Sequence, residues 1–165
     1  MAQVIKKKIC LLGSFSVGKT SLIKRFVESI FSEKYLTTMG VKIDKKSVVV
    51  NGEEIRLMIW DLEGEDDFSR IKRNHLRGAS GYILVADGTR PDTLSAAQAI
   101  HLLARDTLGE VPAVLAMNKA DLEDQWILPD STMDTIDPDL TRIKTSALSG
   151  SNVEELFSSL AVRLL

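Results

Sequence analysis

The sequence has one cysteine, two histidines, four prolines and few aromatic residues, which make up 5% of the chain. A single cysteine cannot form an internal disulfide bond, so the protein is predicted to work in a reducing cytoplasm. No stretch approaches the ~20 apolar residues that a membrane-spanning helix needs. A net charge of −2 gives no general attraction to nucleic acid or to anionic lipid. We therefore expect a cytoplasmic protein without a nucleic-acid partner and with no direct membrane anchor.

The chain is long enough for one domain, and we predict a single domain over residues 1–165. Short apolar runs alternate with helical patterns, which is typical of βαβ units on a mainly parallel sheet. Two further strand-like runs flank Asn51-Gly52, a strong type I′ hairpin signal. Strand candidates in the parallel part are 4–12, 80–86, 112–118 and 140–145, and helices are predicted to begin at Lys19, near Asp67, at Pro91 and near Ser151.

The stretch GSFSVGKT, Gly13 to Thr20, lies between the first strand and the first helix and matches G-x-x-x-x-G-K-[ST]. In such a loop, backbone N–H groups curl around phosphate oxygens and the helix N-terminus adds its positive dipole. Lys19 is predicted to bridge the β- and γ-phosphates, and the Thr20 hydroxyl to bind Mg²⁺. The loop therefore indicates a nucleoside triphosphate site.

A second motif, NKAD at residues 118–121, follows a later strand and indicates which base is bound. The Asp121 carboxylate can accept hydrogen bonds from N1–H and from the exocyclic amine of guanine, whereas adenine offers neither donor at those positions. Asn118 can tie this loop to the phosphate loop, and the methylenes of Lys119 can lie over the base. In TSAL, residues 145–148, the Ala147 N–H can reach guanine O6. We therefore expect GTP rather than ATP.

With these elements in order, the chain resembles the Ras superfamily of small GTPases, in its Rab-like branch, over nearly its full length. The resemblance rests on residues 13–20, 118–121 and 146–147 and on the D-x-x-G motif at 61–64. It implies an α/β fold, the three-layer sandwich of P-loop NTPases. That fold has a six-stranded, mostly parallel sheet with one antiparallel edge hairpin and helices on both faces. It also implies a GTP/GDP switch whose loops order around γ-phosphate and Mg²⁺.

The resemblance also assigns roles to residues of two switch-like segments. Phe31 would stack on the base edge, the Gly64 N–H would touch the γ-phosphate, and Thr38, with Thr37 as its rival, would contact the metal. It predicts the metal ligands Thr20, Thr38 and Asp61, the catalytic residues Glu65, Lys19 and Thr38, and the nucleotide-binding residues Gly13, Ser14, Phe15, Ser16, Val17, Gly18, Lys19, Thr20, Ser21, Phe31, Tyr35, Thr38, Gly64, Asn118, Lys119, Asp121, Ser146, Ala147 and Leu148.

Two residues depart from the family pattern. Glu65 stands where a glutamine ordinarily orients the attacking water. A negative charge ~5 Å from the phosphate raises the barrier by about 3 kcal/mol at an effective dielectric near 20, unless Glu65 is protonated and donates. Phe15 stands where a small residue is usual and would crowd the entry of a partner's arginine. Both changes predict slow hydrolysis of GTP.

The leading interpretation is a GTPase switch that binds effectors and regulators through residues of about 31–45 and 62–80. The main alternative is a GTP-binding scaffold with negligible turnover, which Phe15 and Glu65 favour. A P-loop kinase or other ATPase conflicts with NKAD and TSAL. The sequence shows no lipid-acceptor tail, which fits either a protein working off membranes, such as a prokaryotic relative, or a chain lacking its tail.

Overall fold

The computed structural model describes residues 4–14, 17–27, 34–36, 42–62, 73–126 and 140–165, with the backbone alone at 34–36, 73, 74 and 123. The strands are β1 (Ile5–Gly13), β2 (Lys34–Leu36), β3 (Lys42–Val50), β4 (Glu53–Asp61), β5 (Gly81–Asp87), β6 (Ala113–Asn118) and β7 (Thr141–Lys144). The helices are α1 (Lys19–Val27), α2 (Arg73–Leu76), α3 (Pro91–Leu108) and α4 (Val153–Ala161), with 3-10 turns at Glu123–Gln125 and Val162–Leu164.

One sheet contains these strands in the order β2-β3-β4-β1-β5-β6-β7. Strands β4, β1, β5, β6 and β7 run parallel, while β3 pairs antiparallel with β4 on one side and with β2 on the other. The predicted fold class is therefore confirmed. Among the described residues the sheet has one strand beyond the six predicted, β2, which has only three residues and carries no periodic pattern of its own.

Both faces of the sheet are buried, which explains why its central strands are almost continuously apolar. Along β1, Ile9 and Leu11 point to one face and Cys10 and Leu12 to the other. Helices α1 and α4 cover the first face, where the rings of two phenylalanines stack with centroids 4.0 Å apart. Helix α3 covers the second face. The result is a three-layer arrangement with helices on both sides of the sheet.

Local sequence signals set several element boundaries. Asn51 and Gly52 both have positive φ, 52° and 80°, as a type I′ turn between β3 and β4 requires. Helix α3 has proline at its first turn and ends at Gly109, whose φ is 76° and whose N–H donates to the Arg105 carbonyl. The start predicted for a helix near Asp67 lies outside the described residues, and the described helix that follows in the chain is α2, Arg73–Leu76.

Cys10 is fully buried in β1. Burial raises the pKa of its thiol to about 12, so this cysteine is a packing residue without thiolate chemistry near neutral pH. Among the helices that the structure describes, no segment has the length and apolarity to cross a membrane.

Candidate nucleotide-binding site

The predicted site residues collect at the carboxyl edge of the parallel strands. Asp61 ends β4, Asp87 ends β5 and Asn118 ends β6, while Gly13 ends β1 between the first two. Asp87 and Asn118 are directly paired in the register of β5 and β6. Ligands of open α/β sheets bind at this edge, because the loops there leave the sheet in a common direction.

The phosphate loop is held by the end of β1 and the start of α1. Lys19 is 4% exposed, and its ammonium group donates to the carbonyl oxygens of Gly13 and Ser14, both at 3.0 Å. A Cβ at Gly13 would lie 2.5 Å from the Val85 carbonyl oxygen, so only glycine lets the loop leave the sheet here. The lysine thus folds back over the loop, with its charge at the place where phosphate oxygens would collect.

The Thr20 hydroxyl donates to Asp61 Oδ2 across 2.6 Å, joining the first turn of α1 to the end of β4. Asp61 is 2% exposed. A hydroxyl and a carboxylate at this distance are the hard oxygen donors that Mg²⁺ prefers, alongside water and phosphate oxygens. The chemistry of this pair therefore fits the predicted metal.

Asn118 joins the phosphate loop, residues 13–20, to residues 118–122 and 145–148, which together are called the base loop. Its Nδ2 donates to the Val17 carbonyl at 2.9 Å, and its Oδ1 accepts from Thr145 Oγ1 at 3.2 Å and from Ala147 N at 3.3 Å. A side-chain amide has two donor hydrogens and one acceptor oxygen, so a single buried group can link three segments distant in sequence. The sequence predicts a link from Asn118 to the phosphate loop, and Val17 is the residue of that loop that it contacts. The Ala147 N–H, predicted to face guanine, here donates to Asn118.

The base loop borders an open cavity of about 480 Å³. Asp121 reaches it from a turn after β6, and the Ser146 hydroxyl donates to Asp121 Oδ1 at 2.7 Å, while Ser149 N donates to the same hydroxyl. The serine thus orients the carboxylate that is predicted to read guanine. The cavity is lined by Gly18, Ser21, Asn118, Lys119, Asp121, Leu122, Ala147 and Leu148, seven of which were predicted as nucleotide-binding residues.

Several predicted site residues lie outside the described parts of the chain, and their roles stay predictions. These are Phe15, Ser16, Phe31, Thr38 and its rival Thr37, Gly64 and Glu65; the side chain of Tyr35 is also outside. The described structure therefore brings together the phosphate and base motifs and two of the three predicted metal ligands.

Asp87 contacts the lining residue Lys119 and belongs to none of the sequence motifs. Its carboxylate, 1% exposed, accepts hydrogen bonds from the Lys119 ammonium at 2.8 Å, from Arg90 Nε at 3.0 Å and from Thr89 at 2.6 and 2.8 Å. Burial by itself would raise its pKa, but the hydrogen bonds from Lys119, Thr89 and Arg90 outweigh burial and lower the pKa to about 2. The one signal in the sequence that indicates Asp87 is its position at the end of the strand that precedes the NKAD strand.

This depressed pKa makes the contribution of Asp87 to stability dependent on pH. The pKa is lower in the folded than in the unfolded chain, so the stabilisation is complete above about pH 5 and declines as the pH falls through 4 towards 2. We expect the difference in free energy of unfolding between wild type and Asp87→Asn to be about 1 kcal/mol larger at pH 6 than at pH 3. Urea unfolding of both GDP-loaded proteins measures it; a difference independent of pH would contradict the prediction.

Comparison with known proteins identifies this arrangement. The sequence profile of the Ras family matches residues 8–165. The chain belongs to the Ras family. It is 34% identical to Ras-related protein Rab-13 of Bos taurus over 161 residues, which cover 96% of this chain and 79% of Rab-13. Ras-related protein Rab-30 of Homo sapiens is 33% identical over the same coverage. Ras-related protein SEC4 of Saccharomyces cerevisiae is 34% identical over 157 residues, 93% of this chain and 73% of SEC4.

Membership of the Ras family, with Rab proteins among the relatives, confirms the predicted resemblance to the Rab-like branch. Ras-family proteins are GTPase switches that bind GTP and GDP and interact with effectors and regulators. The Ras-family chain described here is accordingly a GTP-binding GTPase switch.

Proposed function

We propose that this Ras-family protein is a slowly hydrolysing GTP switch whose nucleotide lies across the two joined loops described above. The observation that supports the binding mode most directly is the Asn118 bridge, which ties the phosphate loop to the base loop through Val17 and Ala147. A single ligand with a phosphate chain at one end and a planar base at the other fits this arrangement. The 480 Å³ cavity takes the base.

Each described side chain has a task in this proposal. Lys19 exchanges its carbonyl partners for β- and γ-phosphate oxygens, and its charge balances theirs as the γ-phosphate leaves. Thr20 and Asp61 hold Mg²⁺, which when bound neutralises phosphate charge. Asp121 accepts from N1–H and the exocyclic amine of guanine, with Ser146 holding the carboxylate in place. Leu148, 78% exposed, offers an apolar edge at the cavity.

The slow rate of hydrolysis is proposed from the sequence alone, because the structure does not describe Phe15 and Glu65. In the water-orienting position, a glutamate keeps an acceptor for water but loses the N–H that donates to the transferring phosphoryl group. Its negative charge also repels that group. An aromatic residue at position 15, where a small residue is usual, would narrow the approach to the γ-phosphate for any arginine supplied by a partner.

Exchange of Glu65 for glutamine tests the slow rate. Because the substitution removes a repulsion of about 3 kcal/mol and restores an N–H donor, we expect hydrolysis about 100-fold faster than wild type. The measurement is single-turnover hydrolysis of GTP with Mg²⁺ at pH 7.5. GTP dissociation, measured in parallel, should stay within about threefold, because the base and phosphate loops are unchanged.

Glu155→Gln is the matched control, because it removes the same charge from an exposed position on α4. Glu155 does not line the cavity, so this substitution should leave the rate of GTP hydrolysis unchanged. A wild-type rate equal to or above that of the Glu65→Gln protein would rule out the proposed effect of Glu65. In that case the glutamate itself supports hydrolysis, as a protonated donor or as an acceptor for water.

A second candidate function is a GTP-binding scaffold with negligible turnover, and the same two residues favour it. The two functions differ in one number, the turnover of GTP with and without candidate activating proteins. A switch releases phosphate and then exchanges GDP, whereas a scaffold retains GTP through many hours of incubation.

We further propose that partners bind through residues of about 31–45 and 62–80. We also propose that the protein acts in the cytoplasm. Of these segments the structure describes 34–36, 42–45, 62 and 73–80. Crosslinking of the protein loaded with GDP or with a non-hydrolysable GTP analogue would locate such partners.

A further inference from the structure

The backbone at Lys119 adopts a conformation that lysine rarely takes. Its φ is 70°, in the left-handed region that glycine and asparagine favour. Neighbouring contacts hold this turn: Ala120 N donates to the Thr145 carbonyl, and Leu122 N donates to the Lys119 carbonyl. A strained residue in a ligand-binding loop persists only when surrounding contacts determine its conformation.

The side chain of Lys119 forms an ion pair with Asp87. The Lys119 ammonium lies 2.8 Å from Asp87 Oδ2, and the carboxylate is 1% exposed while the lysine side chain is 32% exposed. A charged hydrogen bond to a buried acceptor is short, directional and little screened by salt. The Asp87 carboxylate therefore fixes one end of the side chain of Lys119, a residue that lines the base cavity.

We propose that Asp87 is a positioning residue for guanine nucleotides, which holds the Lys119 side chain in place as one wall of the base cavity before the nucleotide binds. This inference rests on the proposed function, because it assumes that guanine occupies that cavity. Lysine has four rotatable side-chain bonds, and binding a base against a free lysine would require ordering them. With Asp87 in place, the lysine side chain is already ordered before the nucleotide binds. The bound state therefore costs less conformational entropy, and the nucleotide is released slowly.

The same carboxylate also has a purely structural task at the start of α3. The carboxylate accepts hydrogen bonds from Thr89 and Arg90, and the backbone N–H of the same residue donates to Thr93 Oγ1. Loss of these contacts would weaken the helix start without acting through Lys119. The two roles predict different behaviour in a double-mutant cycle, because only a positioning effect disappears when Lys119 is absent.

The experiment measures the release rate of a fluorescent GDP analogue from wild type, Asp87→Asn, Lys119→Met and the double variant, all Mg²⁺-loaded. We expect release about tenfold faster from Asp87→Asn, which corresponds to about 1.4 kcal/mol. The double variant should release within about twofold of Lys119→Met alone. Effects that multiply in the double variant, or an Asp87→Asn rate within twofold of wild type, would overturn the positioning role.

Arg90→Ala is the matched control, since it removes the other cationic partner of the same carboxylate and leaves Lys119 intact. Its release rate should stay within about twofold of wild type; a larger change would assign the effect to the start of α3. Should Asp87→Asn fail to fold, Asp87→Glu replaces it in the cycle. We then expect about threefold faster release that vanishes in the Lys119→Met background, and persistence there would refute the proposal.

The wild-type measurement separates this inference from the proposed function. If the wild-type protein does not retain the GDP analogue when the ADP analogue competes with it, guanine binding itself is contradicted. A wild-type protein that retains it while the variant effects multiply contradicts only the role of Asp87.

Discussion

Exchange of Asp121 for asparagine should lower the affinity for GDP and GTP by about 10²–10⁴-fold while raising the affinity for xanthosine diphosphate. In the proposed binding mode the carboxylate would accept two hydrogen bonds from guanine, each of about 1.5–3 kcal/mol when the acceptor is charged. An asparagine amide presents one donor group to the guanine amine, which is also a donor, so one of these contacts becomes repulsive. Xanthine has a carbonyl oxygen at that position and accepts from the new donor.

The described geometry indicates that this substitution changes the group presented to the base and leaves the position of the side chain unchanged. Ser146 donates to Asp121 Oδ1 at 2.7 Å, and the carbonyl oxygen of an asparagine accepts the same hydrogen bond. The side chain should therefore keep its orientation, so that the change in specificity reflects the edge it presents. Competition of guanosine, xanthosine and adenosine diphosphates against a fluorescent GDP analogue measures it.

Asp124→Asn is the matched control, because it makes the same chemical change at an exposed position three residues later, outside the cavity lining. Its nucleotide preferences should equal those of wild type. Should Asp121→Asn retain wild-type preference for guanine, the carboxylate would not be the group that reads the base, and the assignment of the cavity would be wrong.

Much of the fold follows from the sequence because the periodic and turn signals are local. The buried central strands have apolar residues on both faces, the Asn51-Gly52 turn carries its two positive φ values, and α3 has proline at its start and glycine after its end. These signals predict strand, hairpin and helix without reference to the rest of the chain. They leave out β2, because three residues paired at a sheet edge carry no period.

The residues of the site also divide into those that the sequence predicts and those that it does not. GSFSVGKT and NKAD have fixed spacings, so their residues can be assigned from the sequence, and the structure brings Gly18, Asn118 and Asp121 to one cavity. Asp87 has no such spacing: its proximity to Lys119 arises from the pairing of β5 with β6, a contact between residues 32 positions apart in the sequence. Long-range pairing of this kind depends on strand order and register, which single-sequence patterns do not encode.

Exchange of Gly18 for alanine should break the connection between the two loops of the site. Gly18 has φ of 103°, and a Cβ at this position would lie 2.2 Å from Asn118 Nδ2, the atom that donates to the Val17 carbonyl. Backbone strain of about 1–3 kcal/mol and a packing conflict of about 1–3 kcal/mol both act at this residue. We expect GDP release at least about 100-fold faster, together with a loss of several kcal/mol in free energy of unfolding.

Gly52→Ala separates these two causes. Gly52 in the hairpin turn has φ of 80°, but nothing lies within 4 Å of a Cβ built there. Its substitution therefore introduces backbone strain without the conflict, and we expect a loss of about 1–2 kcal/mol in free energy of unfolding with GDP release within about twofold of wild type. Release rates and urea unfolding of the two GDP-loaded variants provide the comparison. Equal release rates from Gly18→Ala and Gly52→Ala would show that the amide of Asn118 can move aside, and that the bridge between the loops does not control how long the nucleotide stays bound.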